Sequence, residues 1–339
     1  MAETLRLVQY ELERTLTLPR VALALCLLYA ATQSATGMMG SVSMQLYASS
    51  ASDASVSLTL LPGATAFDIF YMVMNLTASS LLPMACIVLC GDLISRDAGN
   101  DGRLLIATRL NRRSSYAKAK MLTACILCFG CVIALFLISF AVGTIQLHLP
   151  LGDGSVPSWL TTKGPEYTTW QAWGSIPETW SYAAVLAGLV PSFGIIETAI
   201  VFVTLALSVR CRTRLAPIVM GCLVVALLNV LGNMGTSIAV ALDASAGRSF
   251  VGWIADRFSL GYYRLGAGFF QTEAGQLAGQ VLSTAEGPVY FDNTFPINSF
   301  AQLTVIVGTM IAASCATLSV TLRNAGLPNF KRRKLHAKG

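Results

Sequence analysis

Six apolar stretches, each close to the length that crosses a lipid bilayer, constrain this 339-residue chain more than any other feature. A hydrocarbon core takes about 20 mainly apolar residues per helix. Residues 21–44, 69–90, 121–145, 182–209, 215–241 and 300–322 meet that measure. Thr32, Gln33, Ser34 and Thr36 make the first the weakest; the second contains Asn75 and Pro83, the fourth Pro191 and Glu197. Only 12% of the residues are charged, against about 25% in a soluble domain, and the mean hydropathy is +0.63. This excludes an ordinary cytosolic enzyme and a disordered chain, and it argues against nucleic acid as a partner. The expected fold is all-α: one polytopic transmembrane domain of six helices.

Orientation follows from the basic residues, which accumulate in short cytoplasmic loops. With six spans, the N-terminus, the loops at 91–120 and 210–214 and the tail at 323–339 share one side, and they hold 19 of the 23 Lys and Arg. The other side keeps Lys163, Arg248, Arg257 and Arg264. Counting acids as well, the balance is +13 on the first side and −6 on the second. All five Trp fall on the second side, where amphipathic rings favour the interface. Both signals predict that N- and C-termini are cytoplasmic. The first apolar run also resembles the hydrophobic region of a signal peptide, but Glu3, Glu11 and Glu13 spoil the basic region that should precede it. An uncleaved first helix is therefore expected.

Residues 3–18 place Leu5, Val8, Leu12 and Leu16 at helical spacing. An amphipathic helix lying in the cytoplasmic interface is expected there, in contact with membrane lipid; a plain cytosolic lead-in is the alternative. Two long outer loops, 146–181 and 242–299, are rich in Gly, Pro and aromatic residues. The basic tail carries Lys331-Arg332-Arg333-Lys334, suited to anionic headgroups. None of the nine cysteines lies in an outer loop, so no disulfide framework is expected. Cys125, Cys128 and Cys131 share a helical face, and read better as small packing residues than as a metal or redox site.

The chain has no phosphate-binding GxxxxGK[ST] loop, no HExxH and no GxSxG, which leaves no route to P-loop ATP hydrolysis or the usual hydrolase chemistries. Catalysis, a bound cofactor and a metal are not expected in this chain. Glu197 is the one carboxylate well inside a span. A charge at that depth costs about 2.5–3.5 kcal/mol on insertion scales, so it should face the protein interior or a wet cavity. A substrate- or proton-linked role and a plain interhelical contact both fit it. Asn75, Asn229 and Asn233 are the other candidate polar residues of the membrane interior.

The loop at 91–120 is the most distinctive segment. Arg96-Asp97 opens it, Asn100-Asp101-Gly102-Arg103 is a turn signal, and Leu104-Leu105-Ile106 with Leu110 forms an apolar patch flanked by Arg109, Arg112 and Arg113. An apolar patch ringed by arginines suits docking of a partner protein; a loop that only fixes topology is the alternative. In this order of a charged cluster, a turn, a Leu-Leu run, Arg113-Ser114-Ser115-Tyr116 and a closing Lys118 or Lys120, the loop resembles the segment after the second span of type-2 ABC transporter permeases. The match departs from that family in having Asp-Gly for its Gly-Thr and Leu110-Asn111 or Arg112 for its Pro. Tyr10-Glu11-Leu12-Glu13-Arg14, with Pro19-Arg20 before the first span, resembles the same family's interfacial helix. The resemblance implies a permease subunit of an ATP-driven exporter in a bacterial cytoplasmic membrane, pairing with a second permease. ATP and Mg would be held by a separate ATPase subunit, which the loop would contact through Arg96, Asp97, Asn100, Asp101, Arg103, Leu104, Leu105, Arg109, Arg112 and Arg113. A drug, a lipid or an antimicrobial peptide is the substrate class implied. The alternative is a stand-alone carrier or channel built around Glu197.

Overall fold

The computed structural model describes residues 2–48, 65–76, 78–97, 113–151, 181–209, 211, 213–227, 281–284, 287–290 and 307–318. Helix α1 spans Ala2–Thr15 and α2 spans Leu18–Ala48. Pro19 explains the corner between them: it lacks an N–H and its ring would strike the carbonyl four residues back, but it is tolerated in a first helical turn. The Thr17 carbonyl accepts the first bonds of α2, from Arg20 and Val21.

Two helices, α3 (Ala66–Leu76) and α4 (Ala78–Cys90), carry the second expected span. The third and fourth correspond to α5 (Arg113–Ala141), continued by a π-turn at Val142–Gln146, and to α6 (Tyr182–Ser208). Shorter apolar helices α7 (Leu215–Leu227) and α8 (Val307–Leu318) lie within the fifth and sixth. Within the outer loop expected at 242–299, strands β1 (Val281–Thr284) and β2 (Gly287–Tyr290) pair antiparallel, Thr284 opposite Gly287. This hairpin is an addition to the all-α expectation.

Three helical segments, Leu18–Gly37, Tyr116–Gln146 and Val190–Ser208, are long and apolar enough to cross a bilayer, and the protein is membrane-embedded on that ground. Helix α5 is the hub, packing against α1, α2, α3, α4 and α6. Leu28, Phe70, Leu82, Leu127, Leu135 and Phe193 are among the buried core residues. Small residues bring helices close: a Cβ on Gly194 would meet the Phe129 ring at 2.7 Å, so α5 and α6 touch through this glycine. Leu122, Ile126, Ile133 and Leu137 on α5 and Leu215, Val219, Leu223 and Leu227 on α7 are exposed. Such stripes would be a liability in water, and they are the natural solvated face in lipid.

Polar groups inside the bundle are returned to the protein. Ser192, Thr198, Thr204 and Ser208 on α6 each donate to a carbonyl three or four residues earlier, which satisfies hydroxyls where water is absent. Thr32 on α2 and Ser139 on α5 meet across a buried 3.3 Å contact.

Candidate functional site

Among the described residues, the ion pairs gather at the root of the loop after α4. Gly91 continues the α4 backbone, its N–H reaching the Ile87 carbonyl at 2.7 Å. A Cβ there would sit 2.7 Å from that same oxygen, so only glycine fits. The chain then turns through Asp92–Ile94 into a 3-10 turn at Ser95–Asp97, with every residue from 91 to 97 buried.

Two carboxylates organise this turn. Asp92 is held by two arginines. Arg20 at the start of α2 binds it in bidentate fashion at 2.8 and 2.6 Å. Arg96, four residues on, binds it at 3.0 and 2.5 Å. The remaining Arg96 nitrogen donates to the Thr15 hydroxyl at 3.1 Å and the Arg14 carbonyl at 3.3 Å. Asp97 accepts from Arg14 at 2.6 Å, from the Tyr116 hydroxyl at 2.7 Å and from Lys120 at 2.7 Å. Lys120 closes the knot. Its ammonium group also donates to the Leu93 carbonyl at 2.7 Å and to Glu11 on α1 at 2.8 Å, and it lies 5.2 Å from the centre of the Tyr116 ring.

Seven charges therefore meet, Glu11, Asp92 and Asp97 against Arg14, Arg20, Arg96 and Lys120. They tie together α1, the start of α2, the loop root and the foot of α5. Burial by itself would raise the carboxyl of Asp92, but hydrogen bonds from Arg20 and Arg96 outweigh it and hold the group below its ordinary range. Burial acts likewise on Asp97, where Lys120, Tyr116 and Arg14 reverse its sign. Burial would lower Arg14, and its bond to Asp97 raises it instead. All three stay charged at neutral pH. Among the described residues, Glu11 Oε2 is buried without a hydrogen-bond partner, while Oε1 of the same carboxylate pairs with Lys120.

This geometry gives Arg96 and Asp97 a definite place. Both were expected as contacts to a partner; they are buried and engaged by the chain's own side chains, so they anchor the loop root and do not face outward. Arg113 opens α5. Asn100, Asp101, Arg103, Leu104, Leu105, Arg109 and Arg112 lie outside the described residues. The spacing Asp92/Arg96 is an ion-pair signal legible in sequence; the roles of Glu11, Arg14, Thr15, Arg20 and Lys120 had no comparable signal.

The second expected site is less assembled. Glu197 is fully buried in α6, facing the protein interior as a membrane carboxylate should. Asn75 belongs to α3, and the position of its side chain lies outside the described residues, as do Asn229 and Asn233. Cys86 and Cys90 on α4 and Cys128 and Cys131 on α5 are all buried, and all nine cysteines are free thiols. No group of three or more metal-binding side chains suited to an ion occurs among the described residues.

The apolar face expected on α1 is only partly turned to the protein. Val8 is buried and Leu12 partly so, but Leu5 is 56% and Leu16 50% exposed. The packed side is instead Val8, Glu11 and Thr15, drawn in by the ion pairs. No protein-family model matches the chain, and no curated protein matches its sequence.

Proposed function

We propose that the chain is the permease subunit of an ATP-driven exporter, with six spans, both termini in the cytoplasm of a bacterial cell, and a second permease completing the pathway. The observation that carries this reading is the loop root. A loop that only links two spans needs no buried seven-charge knot, whereas a loop that must transmit force needs a stiff base. The knot supplies that base, and the segment it carries, 98–112, holds Arg103, Arg109 and Arg112 around Leu104 and Leu105. In this reading a separate ATPase binds ATP and Mg, closes, and drives that segment. The rigid root then passes the displacement to α5 and α2. Amphipathic or lipophilic molecules are the substrate class, on the strength of the family resemblance alone.

Affinity purification from nanodiscs tests this. A P-loop ATPase should co-purify with the wild-type chain, and reversing charge at Arg109, Arg112 and Arg113 should abolish its recovery. A second reading rests on the full burial of Glu197 in α6: a stand-alone, proton-linked carrier. If no ATPase co-purifies and uptake driven by a proton gradient is lost in Glu197→Gln, the carrier replaces the permease.

A further inference from the structure

Helix α1 has three chemically distinct faces. Val8, Glu11 and Thr15 face the protein and are buried. Gln9 and Glu13, bonded to each other at 3.0 Å, form an exposed polar face. Between them Leu5 and, just past the helix end, Leu16 are exposed on either side of partly buried Leu12, the three spaced seven and four residues apart and so aligned along the helix direction. A helix packed on a water-soluble protein buries its leucines and exposes its carboxylates. Here Glu11 is 2% exposed and Leu5 and Leu16 are at least half exposed. Leu18, Leu23 and Leu25 at the start of α2 are exposed as well, and α2 carries the first membrane-length segment.

We infer that α1 is a lever between the bilayer surface and the loop root: its leucine stripe rests in lipid, while its opposite side grips the turn at 92–97. The lipid contact follows from the polarity of the faces, because exposed leucines beside a span find hydrocarbon at the same level. The grip is the Glu11–Lys120, Arg14–Asp97 and Arg96–Thr15 set of contacts. Lifting α1 from the membrane therefore loosens the loop root, and the state of the bilayer surface becomes an input to the loop. This inference rests on the membrane placement proposed above and not on the ATPase partner.

The test uses the full chain alone in nanodiscs of phosphatidylethanolamine and phosphatidylglycerol. A phospholipid carrying a diazirine on its acyl chain should label residues 2–17 on illumination; absence of label there means that the stripe is covered by protein, and overturns the inference. Amide exchange then reads the lever. Leu5→Glu with Leu16→Glu should speed exchange at 92–97 by about tenfold, the same direction as Lys120→Met, and Glu13→Gln on the water face should leave it unchanged. Should the double Glu variant fail to insert, Leu5→Ala with Leu16→Ala gives the same sign with a smaller change. Faster exchange in 2–15 with 92–97 unchanged would sink the lever. Failure of the ATPase pull-down leaves all of these outcomes readable.

Discussion

The two ends of α5 are held by opposite means. Its foot, Tyr116 and Lys120, is gripped by charge: Asp97, Glu11 and a main-chain carbonyl all converge on one ammonium group. Its far end is held by shape. Phe136 and Phe140 pack with Phe67 and Phe70 at ring separations of 5.2 to 6.4 Å, and Gly143 lets the π-turn press against Ala66. Charge pairing fixes which partner and which register is correct, and it tolerates no missing member. Shape packing tolerates exchange of similar volumes and punishes added atoms. The difference teaches where this protein needs a defined position and where close fit suffices.

The sharpest way to break the comparison is at the foot. Asp92→Ala leaves Arg96 buried with no counter-charge and removes the partner of Arg20. Removing one member of a buried pair costs about 3–5 kcal/mol, so unfolding in detergent by chemical denaturant should shift by that order. Replacing buried Lys120 and Glu11 together, as Lys120→Met with Glu11→Leu, should cost less than Lys120→Met alone, because no orphaned charge remains at Glu11.

Acid should reproduce the first effect selectively. The Asp92 and Asp97 pKa values are lowered in the folded chain. Their contribution is thus complete above the ordinary carboxylate value of about 3.9 and is lost as pH falls through the lower folded values. Amide exchange at 92–97 should stay slow at pH 5 and rise only below about pH 4, while exchange around Phe136 and Phe140 stays flat.

At the shaped end the expected effects are smaller. A Cβ at Gly143 would lie 2.9 Å from the Ala66 Cα, which is main chain and cannot swing aside. Gly143→Ala should destabilise by about 1–3 kcal/mol, read from the same denaturation curves. The smallest change is a gain. His148 follows the π-turn with φ of 52°, and the Leu149 N–H reaches back to the Gly143 carbonyl at 2.9 Å. That is a helix terminator in the left-handed region, where glycine carries no Cβ penalty. His148→Gly should raise stability by about 0.5–1 kcal/mol. A loss instead would mean that the imidazole makes a contact that outweighs its backbone strain.

The apolar pattern made much of the membrane part legible. The helix at Leu18–Ala48 contains the expected 21–44 and that at Tyr182–Ser208 ends one residue short of the expected 182–209, because lipid-length hydrophobic runs leave few other options. Helix α5 begins earlier than residue 121, since Tyr116 and Lys120 extend it into the knot. The knot was legible only in its Asp92–Arg96 pair. The contacts from Arg14, Thr15 and Arg20 to the turn join residues 72 to 83 positions apart, and no local period links Arg14 or Arg20 to an aspartate beyond the second span. Glu11 is a further case: Lys120, far along the chain, draws it inward. At Glu197 the sequence logic held, since the cost of a membrane charge dictates an inward side chain.

The most direct test of the account is to watch the loop root respond to ATP. With the co-purified ATPase bound in a nanodisc, a non-hydrolysable ATP analogue should change amide exchange at 92–97 and at 2–15 together, and Lys120→Met should disconnect the two. An ATPase that binds the chain and responds to the analogue while both segments remain unchanged would contradict the proposal that this knot carries force into the membrane.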